Sequence, residues 1–190
     1  MTGFVAWLDE SGSNQAMDPG TYILSAAICE ETHAEAVREA MRGLLVSKRH
    51  RKLHWRDEDR GRQATIAKTI AELRVEHLVV VRSEATTTGR PERQRRLCME
   101  RMLAELVKMG VRQAILESRG RKDDQRDHQT LDYLRRKRIL DGGLHMDHVG
   151  GPAEPMLWIA DACCGAVTQM RCGDRHCYAL IESKVTLVDV

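Results

Sequence analysis

The chain has 190 residues, with 30 Lys and Arg against 28 Asp and Glu, so its net charge of +2 gives no general electrostatic case for a polyanionic partner. A composition of 42% hydrophobic and 31% charged residues is that of a globular chain, long enough to bury about 70% of its unfolded surface without staples. No apolar run reaches the ~20 residues that a bilayer span needs. The opening MTGFVAWLDE lacks a basic leader region and meets an acid at position 9, so the expectation is one cytoplasmic domain over residues 1–190, with no membrane partner.

Periodicity maps the elements in chain order. Residues 4–9 alternate, placing Val5, Trp7 and Asp9 on one face and Phe4, Ala6 and Leu8 on the other. The turn SGSNQAMDPG leads into TYILSAAIC (21–29), which predicts an antiparallel hairpin. A helix follows near 33–46, then a basic loop, the segment LHWRDED, and a second helix at about 61–73. HLVVV (77–81) is short and β-branched, a strand. Pro91 suits the first turn of a long helix ending near Lys108. VRQAILES (111–118) reads as a strand, and 124–139 as a charged helix with Leu131, Leu134 and Ile139 as its apolar contacts. LHMDHV (144–149) is a short edge strand, and EPMLWIADACCGAVTQM the last helix, with the tail CYALIESKVTLVDV able to add a strand. Strands separated by helices after an initial hairpin favour a mixed sheet with helices on its faces.

Basic residues bunch in SKRHRKLHWR (47–56), GRPERQRR (89–96), RGRK (119–122) and LRRKR (134–138). Such clusters neutralise phosphates, although each alone also reads as a solvated helix face or loop. Of the six cysteines, Cys163, Cys164, Cys172 and Cys177 fall late with His176 among them, but no C-x-x-C spacing occurs. A zinc-stabilised interaction protein is therefore one rival reading, against small core residues at Cys163 and Cys164. His145, Asp147 and His148 are a second metal candidate, although alternation turns His148 away from the other two and leaves a solvated edge. Asp57 or Asp59 reads as a helix cap. Ser11 and Ser13 lack a nucleophile elbow, no phosphate-binding glycine loop occurs, and aromatic residues are too scarce for broad base stacking.

Three acids stand in apolar settings. Asp9 ends the first strand, Glu117 ends VRQAILES in the same manner, and Asp161 is the lone charge in MLWIADACCGAV. A lone carboxylate on such a helix is desolvated unless it finds a donor or a cation, or lies on a polar stripe. Acids also commonly cap strands. Converging acids repel, and a hard divalent cation that keeps several waters is what lets them share a site.

The DES motif, the TYILSAAI strand, a mid-chain LHW and IADACCGAV in the last helix resemble the domain-of-unknown-function 3800 family over most of residues 4–170, leaving 171–190 as a C-terminal extension. The resemblance implies an α/β, ribonuclease H-like fold: a mixed five-stranded sheet flanked by helices. It implies a divalent-metal-dependent nuclease hydrolysing DNA or RNA with Mg²⁺ or Mn²⁺. Asp9, Glu117 and Asp161 would hold the metal and carry catalysis, with Glu10 second in rank and His54 at the rim. Arg49, Arg51, Lys52, Arg56, Arg119 and Arg121 would contact the nucleic acid backbone. Two positions depart from the family pattern: Lys52 stands where Glu is expected before Leu-His, and Glu117 where Asp is commoner. These departures keep open a catalytically inactive nucleic-acid-binding or partner-binding protein, including a homo-oligomer.

Overall fold

In the computed structural model, which describes residues 3–46, 51–83 and 91–190, the alternating N-terminal segment forms β1 (Phe4–Gly12). It pairs antiparallel with β2 (Thr21–Glu30), from Phe4 opposite Glu30 to Gly12 opposite Tyr22. There follow α1 (Ala34–Gly43), α2 (Arg60–Glu72), β3 (Glu76–Ser83), α3 (Pro91–Lys108), β4 (Val111–Glu117), α4 (Arg121–Arg136), β5 (His145–Val149) and α5 (Pro155–Arg171). The tail then supplies α6 (His176–Ile181) and β6 (Val185–Asp189).

The sheet order is β5-β4-β1-β2-β3-β6, six strands where five were expected. The added strand is the tail itself, which lies parallel to β3. β4 runs parallel to β1 and β5 parallel to β4, while the β1–β2–β3 meander is antiparallel. β2 sits in the middle with almost every residue buried, which is why its sequence is continuously apolar rather than alternating.

Each face of the sheet carries its own core. Val5 and Trp7 of β1 point to the side packed by α1, α2, α5 and α6, with Met41, Ile66, Trp158 and Tyr178. Ala6 and Leu8 point to the side packed by α3 and α4, with Met99, Met102, Leu131 and Leu134. α5 was read as the last helix, but α6 follows it. Cys163 and Cys164 are fully buried packing residues, and all six cysteines are free.

Helix limits differ most at α4. It ends at Arg136; Arg138 then takes a left-handed φ of 56°, and Ile139 is exposed rather than buried. Asp59 caps α2 by accepting the Arg62 N–H at 2.9 Å. Among the described residues, no helix is long and apolar enough to cross a membrane.

One close approach fixes the segment before α2. Gly165 of α5 lies under the Trp55 indole, and a β-carbon there would collide with the ring. Substituting Gly165→Ala is expected to cost about 1–3 kcal/mol by overpacking. The measurement is the shift in chemical-denaturation midpoint.

Candidate functional site

The parallel pairing of β1 with β4 stops at Leu8 opposite Leu116, whereas β1 continues along β2 to Gly12. The sheet therefore splits one residue further on, where Asp9 and Glu117 leave adjacent strands on the same face as Trp7 and Ile115. Asp9 is thus not the last residue of its strand; it is the first residue past the β4 pairing. α5 crosses this face and brings Asp161, with a side chain only 13% exposed. The 51–57 segment closes the third side with Lys52, His54 and Trp55. Together these residues line an open cavity of about 900 Å³.

Asp161 is held from the segment opposite. Its Oδ2 accepts the Trp55 backbone N–H at 2.9 Å, and His54 Nδ1 lies 3.5 Å from the same oxygen. The Trp55 carbonyl accepts from Gln63 Nε2 at 2.9 Å, and Gln63 in turn accepts from Gln169 of α5 at 2.8 Å. Glu117 is taken up differently: Lys52 Nζ donates to both of its oxygens, at 2.7 and 2.6 Å. Asp9 has the poorest company. Its Oδ1 accepts the Glu10 N–H at 2.8 Å, and no cation lies within ion-pair distance among the described residues. Burial, followed by the charges of Asp161 and Glu117, pushes its carboxyl up to about 8. Burial also raises Asp161, against the Trp55 N–H, His54 and Lys52.

The donor set fits a hard divalent cation in kind, being all oxygen, and in charge, because Asp9 lacks a counter-ion. It does not fit in arrangement as it stands. Glu117 is turned onto Lys52, and among the described residues no three His, Cys, Asp or Glu side chains are placed to hold one ion.

Glu10 goes elsewhere. Alternation sends it to the opposite face, where it pairs with Arg95 and with Arg119, whose Nε is 3.4 Å from Oε1. Consecutive residues of a strand cannot share a face, so Glu10 reaches the same cavity only at its edge. Arg95 is 3% exposed and bidentate to Asp127 at 3.0 and 2.6 Å. His148 Nε2 also lies 3.0 Å from Asp127. Burial opposes ionisation of Asp127, yet the His148 and Arg95 hydrogen bonds bring it down to about 2.

His148 is thus a largely buried partner of Asp127, not part of a solvated edge, whereas His145 is exposed as expected. This network was missed, although the spacing of Asp127 to Leu131 and Leu134, and of Arg95 to Cys98 and Met99, places both on buried helical stripes. Of the expected backbone contacts, Arg51, Arg56 and Arg121 are exposed, Lys52 and Arg119 are engaged by acids, and Arg49 lies outside the described residues.

An antiparallel three-strand meander extended by parallel β4 and β5, with acids at the strand split and on the crossing helix, defines a ribonuclease H-like fold. Solved structures agree. The ribonuclease HII of Archaeoglobus fulgidus, in a complex with PCNA, is similar with a TM-score of 0.53 and 15% identity, over 95% of this chain and 77% of that one. Ribonuclease H2 from Pyrococcus horikoshii is similar with a TM-score of 0.52 and 14% identity, over 94% and 76%. At these identities the likeness is one of fold. No protein-family model and no curated protein matches the chain.

The raised Asp9 carboxyl has a sign that can be measured. A carboxyl held at about 8 in the folded chain and near 4 unfolded contributes full stability below pH 4 and loses it as pH rises towards 8. With chelator present, Asp9→Asn is expected to melt several degrees above wild type at pH 8 and close to it at pH 4.5. Thermal melts across that range check this.

Proposed function

We propose that the chain is a divalent-metal-dependent nuclease that hydrolyses phosphodiester bonds of DNA or RNA. The observation that carries the reading is the buried Asp9 carboxyl, without an ion pair among the described residues, sharing one cavity with Asp161 and Glu117 at the strand split. A bound Mg²⁺ or Mn²⁺ would supply an activated water and stabilise the leaving oxygen. Asp9 and Asp161 would hold the ion, and Glu117 would be the third carboxylate available to it. The Trp55 backbone N–H orients Asp161 by binding one of its two oxygens. His54, 47% exposed at the rim, would exchange protons with the departing group.

Exposed Arg51, Arg56 and Arg121 contact the backbone with little reading of bases. Membership in the domain-of-unknown-function 3800 family, a single domain over 1–190 and a cytoplasmic location belong to the same proposal. The named activity of the two structural neighbours supports it through the shared fold.

The Lys52–Glu117 pair favours a second reading: a ribonuclease H-like protein that binds nucleic acid or a protein partner without cutting. Cleavage of end-labelled DNA and RNA in Mg²⁺ or Mn²⁺ separates the two. Asp161→Asn keeps an acceptor for the Trp55 N–H but loses a charge on the ion, so it is expected to lose roughly 100-fold or more of the rate. Equal cutting by variant and wild type would remove the nuclease reading.

A further inference from the structure

Lys52 is built into the acidic corner. Its ammonium spans both Glu117 oxygens, and the pair is tucked against Gly151, where a β-carbon would press on the Glu117 carboxyl and lie 2.8 Å from Lys52 Nζ. Gly151 is itself anchored, its carbonyl accepting the Trp158 indole N–H at 2.8 Å. A bare backbone at this point makes room for a carboxylate and an ammonium together. Lys52 also stabilises the charges of Asp9 and Asp161 and lines the same cavity.

One ammonium carries a single charge and offers no coordination sites. It neutralises the corner only in part and denies Glu117 to any other cation. The pair is nonetheless partly open, with Lys52 19% and Glu117 24% exposed, and it lies on a segment whose Arg51, His54 and Arg56 face solvent. A phosphate arriving along that segment is a competing partner for a lysine on a four-carbon stem.

We propose that Lys52 is a resident counter-cation that withholds Glu117 from a divalent ion until a backbone phosphate draws the ammonium away. The inference rests on the reading of the corner as a divalent-cation site. Metal binding and nucleic-acid binding are then cooperative, and the coupling is reciprocal: each raises the affinity of the other by the same factor.

The test measures Mn²⁺ affinity by isothermal titration of the full chain, alone and with a short single-stranded DNA or RNA, with oligonucleotide binding followed in parallel by fluorescence anisotropy. For wild type, the oligonucleotide is expected to tighten Mn²⁺ about tenfold, and Mn²⁺ to tighten the oligonucleotide equally. Lys52→Gln is expected to bind Mn²⁺ about tenfold more tightly without nucleic acid and to lose the coupling. Lys52→Arg, which keeps the charge, should retain the weak wild-type affinity, showing that the effect is one of charge and not of altered folding. The proposal is overturned if Lys52→Gln binds Mn²⁺ no more tightly, if wild-type affinity ignores both oligonucleotides, or if no protein binds Mn²⁺. Coupled binding without cleavage keeps this inference and removes the nuclease reading. Cleavage with uncoupled binding does the reverse.

Discussion

Mutual repulsion among Asp9, Glu117 and Asp161 is the constraint around which this end of the molecule is organised. Burial raises the cost of ionising Asp9 and Asp161, and neighbouring negative charge adds to it, from Asp161 and Glu117 at Asp9 and from Glu117 at Asp161. Each is relieved by different means. Asp161 takes a backbone N–H and a nearby imidazole, Glu117 takes a whole ammonium, and Asp9 is left with one amide. The unevenness is informative, because a corner arranged only for stability would not leave a buried acid without an ion pair. Stability is given up at one point, which is the usual mark of a site that takes a ligand.

The fold delivers that corner through omissions as much as through contacts. β4 stops pairing with β1 at Leu8, so the two strands part where their acids begin. Gly165 leaves space for the Trp55 indole, and the same tryptophan then presents its N–H to Asp161. Gly151 leaves space for Lys52 and Glu117. Each missing side chain brings backbone or ring close enough for a polar group to be aimed rather than merely present. The chain Trp55–Gln63–Gln169 ties the aiming segment to the helix that carries Asp161.

Much of this was legible in the sequence, and the legible parts share a cause. Period-two alternation in 4–9, the β-branched run at 77–81 and the apolar stripe of 156–167 are local patterns, and local patterns survive without coordinates. The three acids could be singled out because each interrupts an apolar run. What escaped were pairings between distant segments. Nothing near Lys52 says that it will meet Glu117, and nothing near Arg95 says that it will meet Asp127. The tail's pairing as β6 with β3 had no stronger signal than its own modest β propensity. The exposure of Ile139 turned on where α4 ended, and helix ends are set by tertiary contacts more than by propensity.

The adjacent acids in Asp9-Glu10 carry the sharpest lesson about reading such a pair. Side by side in the sequence, they suggest a shared role, yet a strand turns consecutive residues to opposite faces. Asp9 follows Val5 and Trp7 onto the α5 side, and Glu10 follows Ala6 and Leu8 onto the α3–α4 side. There Glu10 meets Arg95 and Arg119, and through them the Asp127–His148 cluster. The two carboxylates therefore occupy different electrostatic settings. Glu10 pairs directly with two arginines, whereas Asp9 feels Lys52 and Arg95 without an ion pair among the described residues. Anchoring Glu10 to two arginines pins β1 immediately after Asp9. The second acid of the pair thus serves the first by holding its backbone in place while its own charge is taken up by Arg95 and Arg119.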